Sequence, residues 1–292
     1  MLRRLYILAL ALTFTFAASA QIHRVGFGVS AGANTMFADT ALTNLWGPLA
    51  GIEGYYACMF AINNTELLLG PRTGLEAFWS MSGFETPVSE QFTNTDYLGH
   101  KIDYTVSGEV SEKYHHVYVG IPLMLALKYR GFVAGVGIKA RALLWNTGRT
   151  DVTHMTTTAY YPEFDIAVVD EPKMGVVKDM SYDLSCSRTT PEWHVAVAAE
   201  AGYEWEVKKN QWIGLRVFAD YDIWNSFTQP EDAAPRVVDI APITAANKTA
   251  EMTVTPICEA ALAKFSALHV GLTISYTFDF IDTSHHCNCL PY

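Results

Sequence analysis

Past its first twenty residues the chain has no run of eighteen or more apolar residues, so no later segment is long enough to cross a bilayer as a helix. Charge is also scarce. Asp, Glu, Lys and Arg make up 17% of the 292 residues, against about a quarter in a typical soluble protein. Basic residues are the scarcer sign, 20 against 30 acidic, and the net charge of −10 excludes a nucleic-acid binder, which needs a basic surface. Cysteines number only five, and being odd in number they leave at least one unpaired or paired between chains. No Ser-His-Asp arrangement stands out, and no internal repeat, linker or peptidoglycan-binding domain is visible.

What is present begins with an export signal. Arg3 and Arg4 precede the apolar run Leu5 to Ala17, and Ala18-Ser19-Ala20 offers the small residues a signal peptidase requires. The expected organisation is a signal peptide at 1–20, one β-domain over 21–280 and a short tail over 281–292.

The strongest signal in the mature chain is a period of two. From Leu268 to Phe280, Leu268, Val270, Leu272, Ile274, Tyr276, Phe278 and Phe280 alternate with small or polar residues. Such alternation marks a strand with one apolar and one wet face. Seven earlier stretches share it: Val25 to Ala33, Leu49 to Ile62, Glu66 to Ser82, His115 to Lys128, Phe132 to Trp145, Trp193 to Val207 and Trp212 to Trp224. Three connections are short, at Asn63-Asn64-Thr65, Tyr129-Arg130-Gly131 and Lys208-Lys209-Asn210-Gln211. The others, about 34–48, 83–114, 146–192 and 225–267, are long. Short turns at one end and long loops at the other predict an all-β fold, an eight-stranded antiparallel up-and-down transmembrane β-barrel with long external loops.

Charges decide which face lies inside. Glu53, Arg72, Glu76, Lys139, Arg141, Glu200, Glu204, Arg216 and Asp220 all fall on the polar face, and no charge interrupts the central apolar face. A soluble secreted barrel would reverse this, with an apolar interior. Facing lipid, a charge costs ~2–4 kcal/mol at the bilayer midplane. The polar face is therefore read as the interior, its carboxylates and cations forming an ion-pair network rather than acid/base catalysts. Eight strands leave an interior that side chains just fill. An even count places both termini in the periplasm.

Three segments carry a family resemblance. Val117-Tyr118-Val119-Gly120-Ile121-Pro122-Leu123-Met124-Leu125-Ala126-Leu127-Lys128-Tyr129 resembles a strand of the PorT-like, OmpA-type outer-membrane β-barrels of Bacteroidetes. Gly26 to Asn34 and Gly271 to Phe278 are similar to the same family. The resemblance implies the outer membrane of a Gram-negative bacterium. It also implies an insertion signal for the barrel-assembly machinery at Gly271, Ile274, Tyr276 and Phe278.

Remaining candidates are few. An oxidising compartment permits a disulfide between Cys186 and Cys258 in the long loops, while Cys58 faces lipid as a free thiol. His115-His116 are too close in sequence to share a helix-face metal site. The tail His285-His286-Cys287-Asn288-Cys289 has ligand types that hold Zn²⁺ or Cu⁺, though an extended tail without a role is the plainer reading. No catalytic, cofactor or metal site is assigned. The expected function is non-enzymatic: a plugged barrel presenting external loops for binding, adhesion or assembly with envelope or secretion proteins. Its expected partners are outer-membrane lipid and the assembly machinery. The alternatives are a narrow or gated small-solute channel and an enzyme acting at the rim.

Overall fold

The computed structural model describes residues 21–38, 42–62, 65–174, 178–184, 192–226, 237–241, 250–255 and 265–281. The expected signal segment at 1–20, Cys186, Cys258 and the His/Cys tail lie outside these residues.

Thirteen strands form: β1 (Gln21–Ala38), β2 (Thr43–Leu45), β3 (Gly47–Ala61), β4 (Leu67–Thr95), β5 (Lys101–Tyr129), β6 (Phe132–Tyr161), β7 (Ile166–Val169), β8 (Met180–Leu184), β9 (Trp193–Lys208), β10 (Gln211–Asn225), β11 (Val238–Ala241), β12 (Glu251–Val254) and β13 (Phe265–Ile281). Eight of them close a ring in the order β1-β3-β4-β5-β6-β9-β10-β13 and back to β1. Each pairs antiparallel with its neighbour, and the closing seam runs from Ile22↔Ile281 to Ala38↔Phe265. Closure leaves the ring without a free edge, as a membrane-spanning sheet requires. Two of its tight turns use left-handed residues, Arg130 (φ 55) and Asn210 (φ 62).

The outer surface carries the apolar face. Ile52, Leu75, Leu123, Val136, Leu215, Val217 and Ile274 are exposed around the ring, Leu123 at 55% and Leu75 at 68%. In water such a continuous belt would be a liability; in lipid it is the required surface. At the long-loop end the belt stops at a row of indoles. Trp79 and Trp145 both pair with Val117, while Trp193 and Trp224 mark the same end of β9 and β10. Amphipathic rings settle at this depth of a membrane. Cys58 is half-buried on the belt side and is not disulfide-bonded.

The structure corrects the expected strand lengths and the reading of 83–114 as a loop. β4, β5 and β6 run for 29, 29 and 30 residues, with bulges in the β5–β6 pairing at Ser107/Glu109 and Val117/Tyr118. Segment 83–114 is a long hairpin, paired from Thr95↔Lys101 down to Gly83↔Lys113. β6 pairs beside it as far as Asp103↔Tyr160, and β7 and β8 add to the far edge of β6. The result is a blade of three long strands, edged by β7 and β8, standing above the barrel. β11 and β12, from the last long connection, form a separate two-stranded hairpin.

That hairpin packs on the blade's inner face. Phe84, Val88, Phe92, Ile102, Tyr104, Val106, Val110, Val152, Met155 and Val238 form one buried apolar cluster, with Met36, Met252 and Val254 against it. The inner face thus turns from charged to apolar where the outer face turns from apolar to polar.

Candidate functional site

The lumen is filled in layers of ion pairs. Nearest the short turns, Arg24 donates to Glu204 and Asp279, both at 2.6 Å, and Lys128 lies 3.1 Å from Glu204. The Lys128 ammonium also sits 3.3 Å above the ring of Trp212, a cation–π contact. Tyr55 and Thr277 share a hydroxyl hydrogen bond beside them. In the next layer Arg72 holds Glu200 with two hydrogen bonds, one of 2.7 Å, and Arg216 bridges Glu200 at 3.0 Å to Glu53.

The third layer joins Arg141 to Glu76 at 2.8 Å and to Asp220, while Lys139 lies 3.1 Å from Glu76 and 2.8 Å from Asp220. Room for these head groups comes from Gly120. A β-carbon there would stand 2.9 Å from both Arg141 Cγ and Glu76 Oε1. Above them His194 pairs with Asp222 at 2.8 Å, Arg141 reaches His269 at 3.2 Å, and His116 and Tyr118 complete a buried collar.

Every residue of the sequence-derived network is therefore in an ion pair: Glu53, Arg72, Glu76, Lys139, Arg141, Glu200, Glu204, Arg216 and Asp220. Sequence reasoning left out Arg24, Lys128, Asp222 and Asp279. The alternation that found the others extends to these four, since Arg24 stands one residue before the first predicted strand and on its polar parity. Buried charges persist only when paired, and here each cation has a carboxylate within 4 Å.

Little space remains between the layers. One cavity of about 30 Å³ lies among Glu53, Glu76, Arg141 and Phe218, and one of about 20 Å³ among Ser80, His116, His194 and His269. Each has room for one or two waters. A larger space of about 610 Å³ opens at the short-turn mouth, beside Leu68, Lys128, Trp205 and Trp212.

The other sequence candidates are placed as follows. His115 and His116 point to opposite faces, His115 stacking outside on Trp79 and His116 inside against Tyr118. Among the described residues no three His, Cys, Asp or Glu side chains are grouped to hold a metal ion. Gly271 pairs with Gly32 at the closing seam, Ile274 is exposed on the belt, and the rings of Tyr276 and Phe278 meet edge to face at 4.9 Å.

Above the belt the blade is held by its own polar contacts. Asp151 accepts from the Ser181 hydroxyl at 2.6 Å and from Arg149 at 3.1 Å, tying β8 to β6. The Ser181 hydrogen bond, with Arg149 adding to it, holds the Asp151 carboxyl below its ordinary value of 3.8. Asp103 is held low likewise by Lys101 and Thr93. Burial pushes the Tyr104 hydroxyl up to about 12. At the tip the Asp96 carboxylate accepts from the backbone of Leu98 and His100, and His100 meets Glu163 at 2.7 Å, stapling the two hairpin ends together.

A closed antiparallel ring, apolar towards lipid and ion-paired within, defines the transmembrane β-barrels of the outer-membrane type. No protein-family profile matches the chain, and no curated protein matches it in sequence. Among solved structures it is similar to Ail, the attachment invasion locus protein of Yersinia pestis, seen in complex with the heparin analogue sucrose octasulfate. That match has 10% identity and a TM-score of 0.26, covering 88% of this chain and 99% of Ail. The outer membrane protease OmpT of Escherichia coli matches at 11% identity and a TM-score of 0.27, over 91% and 98% of the two chains. The monoaromatic hydrocarbon channel CymD matches at 7% identity and a TM-score of 0.16, over 92% and 90%. Assignment to the barrel class rests on this chain's own ring of paired strands.

Proposed function

We propose that this protein is a non-enzymatic, closed barrel in the outer membrane of a Gram-negative bacterium, built to hold a rigid binding blade outside the cell. The observation that carries the reading is the continuity of β4, β5 and β6 from the membrane belt into a sheet with its own apolar core. A loop serving only to connect strands needs no such core, whereas a recognition surface gains from rigidity. The layered ion pairs support a plug rather than a pore. With β1 beginning and β13 ending at the short-turn end, export across the inner membrane would leave that end in the periplasm and the blade outside. The Val117 to Tyr129 strand supports kinship with the PorT-like barrels, and a place beside other envelope or secretion proteins fits the exposed blade.

Two measurements test this. In planar bilayers the purified protein should give no ohmic steps above background; steady single-channel conductance would overturn the plug. Replacing 83–114 by a short turn should leave a heat-modifiable barrel that no longer supports attachment to cells or partner proteins. Attachment that survives this change and removal of 146–192 would overturn the blade as the functional surface.

A further inference from the structure

The outward face of the blade carries a grid of hydroxyls that no barrel function uses. Strand register sets three rows across β4, β5 and β6: Ser89–Ser107–Thr156, then Gln91–Thr105–Thr158, then Thr93–Asp103–Tyr160. The rows follow the sheet spacings, ~4.8 Å from strand to strand and two residues, or ~7 Å, along each strand. Ser89, Thr105, Ser107 and Thr156 are exposed. In the top row the Asp103 carboxylate accepts from Thr93 at 2.8 Å and Lys101 at 3.0 Å, which fixes it and balances its charge. The Tyr160 ring, 37% exposed, is fixed beside it by its hydroxyl donating to Asp165 at 2.9 Å.

We infer that this face binds an extended, uncharged polysaccharide. The chemistry selects that occupant. A protein partner would need a desolvated apolar centre, whereas the three rows are polar and their one large apolar extension is Val169, beside Thr158 at the β7 edge. A nucleic acid or acidic lipid would need a basic surface, and the chain is acidic. Sugar hydroxyls both donate and accept, matching serine and threonine hydroxyls and a fixed carboxylate. The apolar face of a pyranose ring stacks on an exposed tyrosine. Strand spacing is close to the length of one hexose along an extended chain, so consecutive sugars can meet equivalent groups. The sheet beneath is pinned by its own core, so little ordering opposes binding. The inference rests on the proposed reading of the blade as a binding surface, and names the class of ligand.

The test uses the full-length protein in detergent micelles with maltohexaose and cellohexaose as probes, and the sulfated form of each for comparison. At least one neutral hexasaccharide should bind, and its sulfated form should bind more weakly. The double change Thr105→Val and Thr158→Val removes two hydroxyls while keeping the β-branched shape, and should weaken binding by about tenfold or more. Tyr160→Ala should weaken it similarly through loss of stacking, and Thr73→Val in the lipid belt should have no effect. Failure of both neutral probes to bind, equal binding of the sulfated probes, or wild-type affinity in the threonine double variant would each overturn the inference. Glycan binding without blade-dependent cell attachment would instead count against the proposed function, so the two can fail separately.

Discussion

Below the tryptophan row and above it, the same three strands are built on opposite principles. In the barrel, β5 turns Leu123, Leu125 and Leu127 outward and Gly120, Met124 and Lys128 inward; in the blade it turns Thr105, Ser107 and Ser111 outward and Ile102, Val106 and Val110 inward. Along β4 and β5 the parity does not change between the two, while β6 switches parity at bulges in its pairing with β5. The medium on each side does change: lipid outside and a polar lumen within, then water outside and an apolar core within. Membrane depth separates the two regions.

The largest effects should come from breaking each interior in its own currency. Arg141→Leu leaves Glu76 and Asp220 to share the single cation Lys139, an uncompensated buried charge, and should cost about 3–5 kcal/mol. Phe84→Ala opens a hole in the blade core at a similar cost of about 3–5 kcal/mol. Reversible urea unfolding in lipid vesicles checks both. Hydrogen exchange should separate them, since the first loosens amides throughout the barrel and the second only those of the blade. Identical exchange patterns would mean that the two regions fold as one.

A smaller effect tests the outer faces. Leu123→Lys places a charge against lipid and should cost ~2–4 kcal/mol at mid-membrane depth. Ser111→Lys, on the same strand and parity but above the tryptophan row, should stay within about 0.5 kcal/mol of wild type. Equal costs would put the membrane boundary elsewhere.

The smallest expected effect is on pH. Because the Asp151 carboxyl is held below 3.8 in the folded chain, its contribution to holding β8 is fully present above that value. It is lost as pH falls through the lower, folded value. Protection of the β8 amides, measured against the intrinsic exchange rate at each pH, should therefore fall on acidification below about pH 4 in the wild type. In Asp151→Asn it should be lower at neutral pH and show less change on acidification. A pH-independent β8 in the wild type would remove Asp151 as its tether.

Much of the barrel was legible because its two faces meet very different media. Leu272 and Ile274 against Thr273 and Ser275 can only be a strand between lipid and something polar, and the charges from Glu53 to Asp220 identified that something as the lumen. The blade was not legible by the same rule. Apolar residues sit on odd positions of β5 from Val117 to Leu127 and on even positions from Ile102 to Val110. A reading that equates apolar with outward therefore ends the strand near His115, where the parity inverts. Phe84, Val88 and Phe92 also lie four residues apart, and the polar residues between them resemble a solvated loop. The partners of each charge were invisible too, because Arg24 and Glu204 meet across 180 residues of chain.

The sequence alone determined that this chain forms alternating strands, how many cross the membrane, which face meets lipid, and that its interior is charged. Those follow from a local period of two and from the cost of placing charge in hydrocarbon. The tertiary structure alone decided that three strands continue past the membrane, that their faces exchange roles, which cations and carboxylates pair, and that outward hydroxyls line up in rows. These depend on register between strands distant in the chain, and register is set only when the ring closes.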